Sequence, residues 1–95
     1  MKAFVWDDTK NKKLKAERGV SFEEVVTAIE QGSLIEVIEN HNQDRYRHQQ
    51  VFIVEIKQYA HLVPFVESEQ EVLLITIIRS RKATRKYLGK GYVKN

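Results

Sequence analysis

Cysteine is absent from this chain of 95 residues, which excludes disulfides and thiolate metal sites. Its three histidines are scattered and lack metal-ligand spacing. Proline occurs once, and no Pro/Gly/Ser-rich linker, low-complexity tract or internal repeat divides the chain. One domain over residues 1–95 is therefore predicted. No segment approaches the roughly 20 apolar residues that a membrane span requires. The start "MKAFVWDD" carries acid where a secretory leader would be apolar. A cytoplasmic protein with no metal, cofactor or membrane partner is expected.

The last absence is the most informative. From Arg79 to Asn95 there are seven Lys and Arg and no carboxylate, whereas residues 1–78 hold nine basic and thirteen acidic side chains. The formal charge of +3 thus hides a −4 body and a +7 end.

Apolar spacing gives an α+β reading. "AFVW" is strand-like, and Asp7 or Asp8 can cap a first helix running to Gly19. That helix is polar on most faces, with Leu14 and Ala16 as its anchors, so an exposed, loosely held element is expected. "SFEEVVTAIEQG" starts a second helix with a capping box of Ser21 and Glu24, carries Phe22, Val25, Val26 and Ile29 on one face, and ends at Gly32. Four strand-like runs follow, "SLIEVIE", "QVFIVEIK", "AHLVPFVE" and "EVLLITII", with connections short enough for an antiparallel meander. The last run is apolar on both faces, which predicts the central, most buried strand. Pro64 cannot donate to a ladder, so its strand should lie at an edge or carry a bulge. Ser80 then caps a short helix, "RKATRKYL", closed by Gly89.

The basic end has a partner written into it. Arg79 continues the row of Leu73, Ile75 and Ile77, so it should leave the sheet on their side. On the helix Arg81 and Arg85 are four apart, as are Lys82 and Lys86, and like charges at that spacing cost roughly 0.2–0.5 kcal/mol each. A polyanion would offset that cost through counterion release. A second polar cluster, "ENHNQDRYRHQQ", holds His41, Tyr46, two Arg and several amides in the longest loop. His can move a proton near neutrality, Tyr can stack on a base and Arg can hold a phosphate. His61, inside a strand pattern, reads as structural. Taken alone, these residues suit either an RNA-cleaving enzyme or a non-catalytic module binding nucleic acid or an acidic partner.

The order of Trp6, Asp7, Lys10, Asn11, Gly19, Val20, Ser21, Phe22, Glu23 and Glu24 resembles the front of BrnT-family toxins. The exit from "LLITIIRS" into Arg81, Lys82, Ala83 and Thr84 is similar to that family's last helix. The sequence departs from the family pattern at Arg18, where a His is frequent, at Leu14, where an Asn is frequent, and in its short final helix. The resemblance implies a RelE-like fold and the ribonuclease toxin of a type II toxin–antitoxin pair. It implies a cognate antitoxin that covers the site, with DNA reached only through that antitoxin.

The expected reaction is metal-independent RNA endonuclease chemistry, in which a 2′-OH attacks its own phosphate and leaves a cyclic phosphate and a 5′-OH. Arg79 and Arg81 are assigned to the scissile phosphate, and His41 to proton transfer. Lys82, Arg85 and Lys86 are assigned to flanking RNA. Tyr46 would stack a base; Tyr87 could take either role, proton transfer or stacking, or pack against Ala83.

Overall fold

The computed structural model describes residues 2–39 and 49–89. Strand β1 (Ala3–Trp6) leads into α1 (Asp8–Arg18) and α2 (Phe22–Glu30). Strands β2 (Leu34–Glu39), β3 (Gln49–Ile56), β4 (Tyr59–Glu67) and β5 (Glu71–Leu74) follow, then a two-residue β6 (Ile78–Arg79). Helix α3 (Arg81–Ala83) widens into a π-helical turn over Thr84–Leu88. The α+β order expected from the sequence is present. Strands β2 to β5 form the antiparallel meander, β1 adds in parallel beside β5, and the sheet reads β1-β5-β4-β3-β2 with β6 on β4.

Both helix starts follow from their caps. The Asp7 carboxylate accepts from the Thr9 and Lys10 amides at 2.9 and 3.4 Å, and the Ser21–Glu24 capping box closes in both directions. The first helix is held more firmly than its polarity suggests. Ala16 is exposed, and the second anchor beside Leu14 is Asn11, which is 1% exposed. Its Oδ1 accepts from the Phe22 amide and its Nδ2 donates to Glu23, each at 2.8 Å, so a buried amide ties α1 to the start of α2.

Period-two alternation gives the sheet two apolar faces. On the first, Phe52, Val54, Ile56, Val63, Phe65, Val72, Leu74 and Ile77 pack with Leu14, Phe22 and Val25 of α1 and α2. Phe52 stacks on Phe65 with ring centres 3.8 Å apart, and Trp6 stacks on Phe22 at 5.7 Å. On the second, Ile53, Ala60 and Ala83 form a smaller cluster with Leu62, Tyr87 and Leu88. The C-terminal helix therefore packs on the sheet face opposite α1 and α2.

The last strand departs from expectation in three ways. It is neither central nor the most buried: β4 is the middle strand, β5 lies between β1 and β4 and is four residues long, and Leu73 and Ile78 are 41% and 42% exposed. Pro64 does not lie at an edge, because β3 pairs on one side of β4 and β5 and β6 on the other. The bulge it requires sits in the neighbouring strand. Phe65 faces Leu74 and Leu62 faces Ile78, so three residues, 75–77, oppose only two, Val63 and Pro64. The Ile75 amide still donates to the Pro64 carbonyl at 2.9 Å, which aims the proline nitrogen at this same interrupted side, where no donor is needed. The extra residue inverts the alternation. Ile77 joins Val72 and Leu74 in the first core, and Arg79 leaves on the α1–α2 side of the sheet rather than on the side of Leu73.

The β3–β4 connection is a two-residue hairpin, since Ile56 faces Tyr59. Its residues Lys57 and Gln58 have φ of 54° and 67°, the doubly left-handed geometry that Asn-Gly normally fills. For residues with a Cβ this conformation costs roughly 1–2 kcal/mol each.

Candidate active site

Where β4 begins and β6 ends, four side chains from distant parts of the chain meet. His61 and Arg79 are cross-strand partners, and Tyr59 lies two residues before His61 on the same face. The Arg79 guanidinium carbon stands 4.1 Å from the centre of the Tyr59 ring, a cation–π contact that orients the fork. Arg18, the last residue of α1, donates from Nη1 to the Ile77 carbonyl at 3.0 Å. That carbonyl lies in the bulge, outside the strand pairing, so the bulge both turns Arg79 and supplies the acceptor that anchors Arg18.

These residues line a cleft of about 180 Å³ together with Gly19, Val20, Glu24, Ile56 and Lys57. A neighbouring hollow of about 310 Å³ shares Arg18, Val20, His61 and Arg79 and adds Glu17 and Ile77. Arg18, Lys57 and Arg79 make the first cleft cationic against the single carboxylate of Glu24. Lys57 Nζ lies 3.8 Å from Glu24 Oε2 with its side chain 74% exposed, a loose pair of little energetic weight.

His61 is 7% exposed, and its Nδ1 lies 2.9 Å from the Tyr59 carbonyl oxygen. A carbonyl only accepts, so Nδ1 carries the hydrogen and Nε2 the lone pair. Burial pushes the His61 pKa below the ordinary histidine value and the Arg79 charge pushes the same way, against the opposing pull of the Tyr59 carbonyl and Glu24. A neutral imidazole of fixed tautomer beside a guanidinium can take a proton from a nucleophile whose developing charge that guanidinium then meets.

Among the described residues expected from the sequence, Arg79 alone lines this cleft. Arg81, Lys82, Arg85 and Lys86 are exposed on the C-terminal helix, and Tyr87 packs into the second core, with Lys86 Nζ 5.1 Å from its ring centre. The helix is fixed at its root. Ser80 Oγ accepts from the Ala83 amide, and buried Thr84 Oγ1 accepts from the Ala60 amide at 2.8 Å and donates to the Ser80 carbonyl at 2.7 Å. His41 and Tyr46 lie outside the described residues. Sequence reasoning missed Arg18, Tyr59 and the chemical position of His61. The Tyr-x-His spacing in a strand did place both rings on one face, but nothing local announced that Arg79 would face them.

The chain belongs to the BrnT family, described as the ribonuclease toxin of type II toxin–antitoxin systems, whose model matches residues 6–86. The matched span contains all nine residues that line the cleft. No curated protein sequence matches the chain. Among the described residues no helix is long and apolar enough to cross a membrane.

Proposed function

We propose that this toxin cleaves RNA without a metal in the cleft of Arg18, Tyr59, His61 and Arg79, and that a cognate antitoxin neutralises it. The observation that carries the reading is the buried His61, its Nδ1 turned to the Tyr59 carbonyl, beside the guanidinium that Tyr59 orients. His61 Nε2 accepts the proton of the 2′-OH as its oxygen attacks the adjacent phosphorus. The 2′-oxygen–phosphorus bond forms, the bond from phosphorus to the 5′-oxygen breaks, and the products are a 2′,3′-cyclic phosphate and a 5′-OH. Arg79 and Arg18 meet the charge on the non-bridging oxygens; donors of this kind are each worth about 10²–10³ in rate. The departing 5′-oxygen takes its proton from water or from His41. The nucleophile is internal to the substrate and the charge is met by guanidinium groups, so the reaction needs no metal. Arg81, Lys82, Arg85 and Lys86 hold flanking phosphates, Tyr46 stacks a base, and Tyr87 supports the helix. The order of elements, with helices over an antiparallel meander and cations at the strand exit, supports a RelE-like fold.

The test is incubation of purified, chelator-treated protein with a long RNA, with mapping of end chemistry. New 5′-OH and 2′,3′-cyclic phosphate ends are expected, reduced by about 10² or more in Arg79→Ala and His61→Gln, and suppressed by the product of an adjoining acidic antitoxin gene. Salt-sensitive RNA binding with no new ends would replace this reading with that of a non-catalytic binding module.

A further inference from the structure

The β3–β4 hairpin holds a feature that folding alone does not explain. Asn-Gly would satisfy the doubly left-handed turn at lower cost, yet the chain places Lys57 and Gln58 there, at φ of 54° and 67°. Residues held in sparsely populated backbone regions cluster at functional sites. The hairpin lies at the mouth of the cleft, and Lys57 lines it beside Tyr59, His61 and Arg79. The Lys57 side chain is 74% exposed, and its contact with Glu24 at 3.8 Å is too loose to repay the turn. Glu24 is already engaged, since its Oε1 accepts from the Ser21 amide in the capping box.

We propose that Lys57 is a phosphate-binding residue for an RNA nucleotide flanking the one cleaved, and that the strained turn is kept because it projects this ammonium over the cleft. The inference rests on the RNA reading above and deepens it. Arg18 and Arg79 are fixed by the Ile77 carbonyl and the Tyr59 ring respectively, while the Lys57 side chain, 74% exposed, is held only by its loose contact with Glu24. A bound strand would therefore set its scissile phosphate at the two fixed guanidinium groups and a neighbouring phosphate at the freer ammonium. Lys suits the neighbouring position because it acts as a point charge without demanding bidentate geometry. An RNA phosphate arriving there displaces a weak ion pair and leaves the cap of α2 intact.

The experiment compares three proteins: wild type, Lys57→Asn/Gln58→Gly, and Gln58→Gly alone. The double variant installs the preferred turn and should raise the unfolding midpoint. At the same time it should raise KM for RNA about fivefold or more with kcat little changed, and lower the slope of log affinity against log salt by ~0.7 for a non-cleavable 2′-O-methyl oligonucleotide. Gln58→Gly should raise the unfolding midpoint and leave KM and the salt slope as in wild type. A double variant whose KM and salt slope match wild type overturns the inference, whatever its stability. Failure of the wild type itself to cleave or bind RNA would instead remove the RNA reading, so the two failures are told apart by the wild-type control.

Discussion

The Arg79 guanidinium carbon lies 4.1 Å from the centre of the Tyr59 ring, across the pairing of β6 with β4. This contact aims an otherwise exposed arginine into the cleft. Tyr59→Phe keeps the ring face and should leave RNA cleavage within about threefold, whereas Tyr59→Ala frees the guanidinium and should lower kcat about tenfold or more. Equal activity of the two variants would show that the ring does not position Arg79.

Arg79→Ala should lower cleavage by about 10²–10³ while leaving the unfolding midpoint within a degree or two, because the side chain is exposed. Arg79→Lys should recover little, since an ammonium cannot present two parallel donors to a phosphate. Single-turnover rates and thermal melts on the same preparations check both statements.

The pH behaviour follows from the lowered pKa of His61, caused first by burial. As a base it must be neutral, so the cleavage rate should rise with pH through a value below the usual histidine range and be flat by neutrality. The same shift affects stability. The unfolded chain binds the proton more tightly than the folded one, so the His61 contribution is complete above about pH 6.5 and is lost as pH falls from there through the folded value. His61→Gln should remove that part of the stability change and cut the rate by about 10² or more.

Asn11→Ala should destabilise the fold by about 1–3 kcal/mol, since it leaves the Phe22 amide without its acceptor in a buried position. The unfolding midpoint should fall by about 4–8 °C for each kcal/mol lost. Cleavage measured well below that midpoint should be retained, which separates this anchor from the cleft.

Thr84→Val, a near-isosteric change, should cost about 1–3 kcal/mol because the Ala60 amide loses its acceptor at the root of the C-terminal helix. Amide exchange at Ala60 should quicken more than exchange in α2. Uniform protection in the variant would show that the helix root is held by its apolar contacts alone.

Much of the architecture was legible because its causes are local. Asp7 and the Ser21–Glu24 box set two helix starts, alternating apolar residues gave the four meander strands, and Ser80 and Gly89 bounded the last helix. Asn11 was not legible as an anchor, because a polar residue on a polar helix gives no sign that its amide will meet the Phe22 backbone. Tyr59 and His61 were visible as residues but not as a site, since their partner Arg79 arrives from eighteen or more positions away.

By itself the sequence determined the α+β order, the sorting of charge toward the C-terminus and the likeness to a toxin family, because composition, caps and periodicity act within a few residues of one another. The tertiary structure alone decided which face receives Arg79. Pro64 has no amide hydrogen to offer the strand beside it, the neighbouring chain accommodates one extra residue there, and in a pleated sheet one residue turns every later side chain to the other side. That single step carries Arg79 from the face of Leu73 to the face of Tyr59 and His61, and frees the Ile77 carbonyl to bind Arg18.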